Sequence, residues 1–262
     1  MYYRHVTATE RGFVQQLAVA YVHHGYWYYV TGNIPANKDP TKVDAKLLER
    51  YEVAISKWAR ARRKLQGKAN VQYLRHGHFF VIIATQGTHK FFEQEGQNVK
   101  DIRRAPIYFA GYSISYRMGV DRKWHACVRI HPVEYNGLKS FYLDLATQSS
   151  MEPMLRELAK IPFEPYAAVR RQLLNILRAV NRARKRAGFE LVPPTALRLH
   201  RRIVKPFATA EEEKLRVSKP TKGVVQVGSN CELSLRAFAA GVDQAAPEAT
   251  LCDASRCESG SA

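Results

Sequence analysis

Two histidines, His76 and His78, stand two residues apart immediately before the apolar run Phe79-Phe80-Val81-Ile82-Ile83. On an extended strand alternate side chains share a face, so this spacing aims both rings to one side. Two neutral imidazoles on one face can share a divalent metal, and a metal so held can polarise a scissile phosphate. Such a site still needs a third ligand and a nucleophile. Gly77 leaves a second arrangement open, because glycine also permits a tight turn. A turn there separates the rings and makes them ordinary hydrogen-bonding groups at a hairpin tip.

A different chemistry is carried by arginine. Arg60, Arg62, Arg63 and Lys64 form one basic cluster, and Arg178, Arg182, Arg184, Lys185 and Arg186 form a second. Arg201 and Arg202 lie in a third basic stretch, Arg198 to Lys205. The planar guanidinium fork matches phosphate oxygens. Aromatics are interleaved at Tyr26, Trp27, Tyr28, Tyr29, Tyr108, Phe109, Tyr112 and Tyr116. On an open sheet face they could stack unpaired bases, but strand aromatics more commonly fill a core.

The segment Tyr73-Leu74-Arg75-His76-Gly77-His78-Phe79-Phe80-Val81-Ile82-Ile83 resembles the His-hydrophobic-His strand of HUH endonucleases, with the REP-associated tyrosine transposases nearest in texture. Trp27 to Thr31, ending in Gly32-Asn33, is similar in position to that family's opening strand. The resemblance implies a small antiparallel sheet with helices and a metal, Mg or Mn, held by His76 and His78. It also implies a tyrosine that attacks a phosphate of single-stranded DNA and leaves a 5′-phosphotyrosine link. Carried onto this chain, the nucleophile is Tyr166, with Tyr112 and Tyr116 as further candidates. His89, Glu93 and Glu95 are then the candidate third ligands. The chain departs from the pattern at Gly77, where the family has a bulky apolar residue.

Bulk composition favours a polyanionic partner. The chain has 262 residues and a formal net charge of +18. Residues 1–206 hold 35 Lys/Arg against 15 Asp/Glu, so the excess belongs to the part that looks folded. A compact domain with such a charge repels itself, and phosphate neutralisation with counterion release is the commonest reason to keep it. The partner expected is therefore DNA or RNA, gripped by Arg-rich helices and needing no cofactor. An acidic protein partner is the alternative from another class. No apolar run approaches the ~20 residues that span a bilayer, so no membrane is expected. Cys127, Cys231, Cys252 and Cys257 contain no CxxC pair, and the N-terminus has no apolar leader; a cytoplasmic location is expected. No Walker loop, nucleotide-binding glycine fingerprint, HExxH or Gly-x-Ser-x-Gly motif is present, so no small-molecule cofactor is evident.

These residues need elements to hold them. Thr7-Ala8-Thr9-Glu10 reads as a capping box opening a helix that Gly25 ends. Tyr26 to Thr31 predicts a strand, and Asp44 to Gln66 one long helix. Val71 to Arg75, Phe79 to Thr85 and Pro106 to Arg117 predict further strands. Trp124 to Ile130 and Leu138 to Leu145 predict a hairpin around Asn136-Gly137. Glu164 to Ala187 predicts a long helix with Val169, Leu173, Ile176, Val180 and Ala183 as its buried stripe. The order implies an α+β fold: an antiparallel sheet of about five strands with long helices on one face. Residues 1–206 form the expected basic domain, and 207–262 an expected disordered tail of low complexity.

Overall fold

A computed structural model describes residues 3–119 and 121–207. The expected tail lies outside the described residues, apart from residue 207. The α+β class holds, and its strands run antiparallel, but they divide between two sheets of four and three strands.

The first helix, α1 (Glu10–Gln15), continues through a wide π turn, Gln16–Tyr21, and a short 3-10 turn, Val22–His24. Its N-cap is Thr9, whose hydroxyl accepts from Gly12 N, and not Thr7. Thr7 instead runs beside a strand, donating its N–H to Arg75 O at 2.9 Å. Gly25 takes φ +92° and ends the helical segment as expected. Strand β1 (Tyr26–Asn33) follows.

The single helix expected over 44–66 is two helices, α2 (Pro40–Arg50) and α3 (Lys57–Leu65). Between them Glu52 adopts φ +49°, which breaks the helical path. The break is driven by burial: Tyr51 and Val53, both fully buried, plug a core cluster that no straight helix through 44–66 could reach with both. Ser56 then caps α3 by accepting from Ala59 N.

Strands β2 (Val71–His76) and β3 (Phe79–Thr85) form a hairpin. Helix α4 (Lys90–Glu95) and the two-residue strand β4 (Lys100–Asp101) follow. The four-stranded sheet has the order β2-β3-β1-β4. One of its faces carries Tyr73, Ile82 and Ala84 against Tyr51, Val53 and Phe91; the other carries Leu74, Val81 and Ile83 toward Phe13 and Leu17.

The strand expected from Pro106 to Arg117 is a hairpin, β5 (Ile107–Phe109) and β6 (Tyr112–Met118). Ala110 and Gly111 turn it with φ +46° and +71°, both positive as a type I′ turn requires. Strand β7 (Trp124–Ile130) pairs with β6 and completes the second sheet.

The expected second hairpin strand at 138–145 is helical. Helix α5 (Pro132–Gln148) runs through Asn136-Gly137. His131 caps it, Pro132 sits at its first turn, and Tyr142 and Ala146 recur at helical spacing in the core. That packing outweighs the ~1 kcal/mol a helical glycine costs. Helix α6 (Met151–Ala159) and the 20-residue α7 (Ala167–Arg186) are the last α-helices among the described residues, followed by a short 3-10 turn, Pro194–Ala196. The buried stripe of α7 is Val169, Leu173, Ile176, Leu177 and Val180. Each such side chain contributes about 1.5–3 kcal/mol when fully buried. No helix among the described residues is long and apolar enough to cross a membrane.

Candidate nucleic-acid interface

Helix α7 contains no acidic residue, and its cations sort by angle. At 100° per residue, Arg171, Arg178, Arg182 and Lys185 fall within one narrow arc opposite the buried stripe. All four are exposed, as are Arg170 and Arg186. From Arg171 to Lys185 the arc runs about 20 Å along the axis, at ~1.5 Å per residue. None of these six has a carboxylate partner among the described residues; the single side-chain bond on the arc joins Arg178 to Asn175 at 2.9 Å. Gln172 holds the helix in place by pairing with both Ile130 N (2.8 Å) and Ile130 O (3.2 Å) at the edge of β7.

Arg184, expected among the phosphate-binding arginines, belongs to the fold. It is 1 % exposed. Its guanidinium donates to Glu190 O at 2.7 Å, Ala146 O at 3.1 Å and Ser149 O at 2.8 Å. Two of these carbonyls end α5, where helical acceptors lack partners and the macrodipole favours a cation.

The α3 cluster divides similarly. Arg60 donates to Val53 O at 3.1 Å and lies over the Tyr3 ring. Arg63 pairs with Glu52, which also takes Lys90 at 2.8 Å. Hydrogen bonds from Lys90 and Arg63 hold the Glu52 carboxyl down to about 2. Arg62 and Lys64 remain exposed, with no carboxylate partner among the described residues.

The basic stretch after α7 is anchored by a buried carboxylate that the sequence does not single out. Glu164, 2 % exposed, accepts from Arg198 at 2.8 Å, from Arg11 at 3.2 Å and from Arg202 N at 3.3 Å. Its own N–H donates to Tyr112 Oη at 2.7 Å. Nothing in the local pattern marks Glu164, because its partners come from distant parts of the chain. Tyr166 is the residue before α7, and the Arg201 guanidinium sits over its ring at 4.9 Å. Burial raises the Tyr166 phenol above its ordinary value, opposed by Arg201. Burial likewise raises Tyr112. Both phenols therefore stay protonated at neutral pH. The side chain of Arg202 is exposed.

The two histidines of the opening motif sit at a hairpin tip and face different backbone carbonyls. Gly77 takes φ +57° and, with His78, makes the two-residue turn between paired His76 and Phe79. His76 Nδ1 lies 3.0 Å from Thr7 O, whereas His78 Nδ1 lies 3.1 Å from Ile34 O. This is the hairpin-tip arrangement. His89, Glu93 and Glu95 follow the far end of β3, seven residues and roughly 20 Å along the strand from that tip. His89 caps α4, accepting from Phe91 N at 3.0 Å, and burial together with Arg63 keeps its imidazole below the usual range. Glu95 accepts from Tyr51. No group of three or more His, Cys, Asp or Glu among the described residues is placed to hold a metal ion.

Of the aromatics, Tyr29 and Tyr112 are core, and Tyr108 is exposed. Trp27 and Tyr116 join a row with Trp124, which a strand-by-strand reading leaves out because the row crosses between the two sheets. No family model matches this chain, and no curated protein or solved structure matches it.

Proposed function

We propose that the protein binds nucleic acid, gripping phosphates with the exposed face of α7 and the adjoining Arg-rich stretch. The observation that carries this reading is the α7 arc: Arg171, Arg178, Arg182 and Lys185 on one exposed line, without a carboxylate partner among the described residues. Four like charges spaced over ~20 Å repel one another. A chain of phosphates removes that repulsion and releases its counterions on binding. Arg201 and Arg202 lie in the same basic stretch and add to the charge. The two imidazoles of the hairpin tip have different neighbours and their candidate co-ligands lie at the opposite end of β3. The proposal therefore includes no metal-dependent step and no reaction at Tyr166.

The test is a titration of labelled DNA and RNA against salt. We expect log affinity to fall linearly with log salt concentration, with a slope near −0.9 per neutralised phosphate on B-DNA. Replacing Arg171, Arg178, Arg182 and Lys185 together with Ala should weaken binding across all sequences. It should also flatten the slope by about 0.9 for each phosphate that is no longer neutralised. Absence of binding to either nucleic acid at low salt overturns the proposal, as does a quadruple variant with an unchanged slope.

A further inference from the structure

Four planar groups from separate parts of the chain form one row. The Arg103 guanidinium lies over Trp27 at 4.7 Å; Trp27 and Tyr116 have ring centroids 5.3 Å apart with planes inclined 32°. Tyr116 and Trp124 are stacked at 5.7 Å with planes inclined 18°. Trp27 comes from β1 of the four-stranded sheet, Tyr116 and Trp124 from β6 and β7 of the three-stranded one. Arg103 is fixed by Asp101 at 2.7 Å and by the Tyr28 hydroxyl at 3.3 Å, so this end of the row already carries a cation held in place. The other end is open. Trp124 is 46 % exposed, and its cross-strand partner Met118 is 58 % exposed. A tryptophan and a methionine left in water beside each other are an apolar surface awaiting cover.

The chemistry around the open end says what covers it. Arg122 and Lys123, on the turn that leads into Trp124, are exposed there, and neither has a carboxylate partner among the described residues. The nearby acid, Asp121, is taken by His125 at 2.8 Å. Both features, a planar apolar face and unpaired cations beside it, fit a nucleotide, whose base stacks while its phosphate meets the cations. Within a duplex each base face is already covered by its neighbours. An unpaired base has a face to offer.

We propose that Trp124 is a stacking platform for an unpaired base, so that the protein holds single-stranded nucleic acid at the open end of the Arg103–Trp27–Tyr116–Trp124 row. This rests on the nucleic-acid reading above and specifies its ligand as single-stranded. The row behind Trp124 fixes the indole plane before binding, so little side-chain freedom is lost when a base arrives. Lys123 and Arg122, on the turn leading into β7, supply the phosphate contacts.

The experiment measures binding of labelled oligo(dT) and of a duplex of equal length to the full chain, its Trp124→Ala variant and its Trp124→Phe variant. Stacking on an aromatic is worth ~1–3 kcal/mol per base, which converts to about 5- to 150-fold in affinity. We expect Trp124→Ala to lose that factor for oligo(dT) while keeping duplex affinity within about twofold, and Trp124→Phe to restore most of it. In a Trp58→Phe background, oligo(dT) should also quench the indole emission. Equal affinity of Trp124→Ala and wild type for oligo(dT) overturns the proposal and leaves the α7 reading standing. Parallel loss of oligo(dT) and duplex, not rescued by Phe, overturns it as well, because the role is then structural. Displacement of oligo(dT) by polyglutamate as effectively as by unlabelled oligo(dT) overturns it in favour of an acidic protein partner. A wild-type chain that binds neither strand form at low salt removes the nucleic-acid reading itself.

Discussion

Asp44 is 2 % exposed and sits at the centre of a polar network under the four-stranded sheet. Arg75 donates to it from Nε and Nη2 at 2.8–3.0 Å, His5 lies 3.1 Å away, and Tyr73 also donates. Burial alone would raise this carboxyl, yet the hydrogen bonds from His5, Arg75 and Tyr73 hold it below the usual range. A depressed carboxylate contributes stability that is fully present above its unfolded value, 3.8, and is lost as pH falls through the folded one. Asp44→Asn leaves the Arg75 guanidinium buried without its charge partner, a loss of about 3–5 kcal/mol at neutral pH. Chemical denaturation at neutral pH and again below the folded value checks this. The gap between wild type and variant should narrow as the wild-type carboxyl protonates; a gap that is absent at pH 7, or constant across the range, refutes the assignment. Arg184 and Arg178 give the matching lesson for function. They are six residues apart on one helix, yet only Arg178 is exposed to solvent.

Helix α3 has no buried residue. Trp58 is 78 % and Leu65 88 % exposed, and the helix is held by Arg60 on Val53 O and Arg63 on Glu52. Because neither large side chain buries area, Trp58→Ser with Leu65→Ser should change unfolding free energy by no more than about 0.5 kcal/mol per site. A loss of several kcal/mol in urea denaturation would show that these residues pack somewhere. The same element marks where sequence reading stops. Hydrophobic spacing through Leu47, Leu48, Tyr51, Ile55 and Trp58 suits one helix, and nothing local announces that Glu52 will take positive φ. The Ala110-Gly111 turn was hidden for a similar reason, since alanine rarely accepts φ +46°. Asn136-Gly137 misled in the opposite sense: a strong local turn signal lost to Tyr142 and Ala146 packing at helical spacing. β1, β2 and β3 were legible from their aromatic and β-branched residues, and α7 because its apolar period agrees with its burial. The α7 cations were legible as a cluster but not as an arc, since Arg184 lies in the same run and is buried; the Arg103–Trp27–Tyr116–Trp124 row was not legible at all, being assembled from two sheets.

At the scale of the molecule, the stretch that carries Arg201 and Arg202 is tied to the first helix. Gln15 Nε2 donates to Val204 O at 2.7 Å and Val204 N donates back to Gln15 Oε1 at 3.2 Å. Ala8 N donates to Pro206 O at 3.3 Å. Gly12 leaves room for this approach: a Cβ there would meet Pro206 Cα at 3.0 Å. Residues 8 and 206 are therefore neighbours in space although nearly 200 positions separate them in the chain. The described fold closes into a ring, and its start and finish are interchangeable in principle. A circular permutant, with residue 207 joined to residue 3 by a short Gly-Ser linker and the chain opened in the exposed loop 35–39, should keep the far-ultraviolet spectrum and cooperative melt of the original order. A permutant that fails to melt cooperatively would refute this interchangeability.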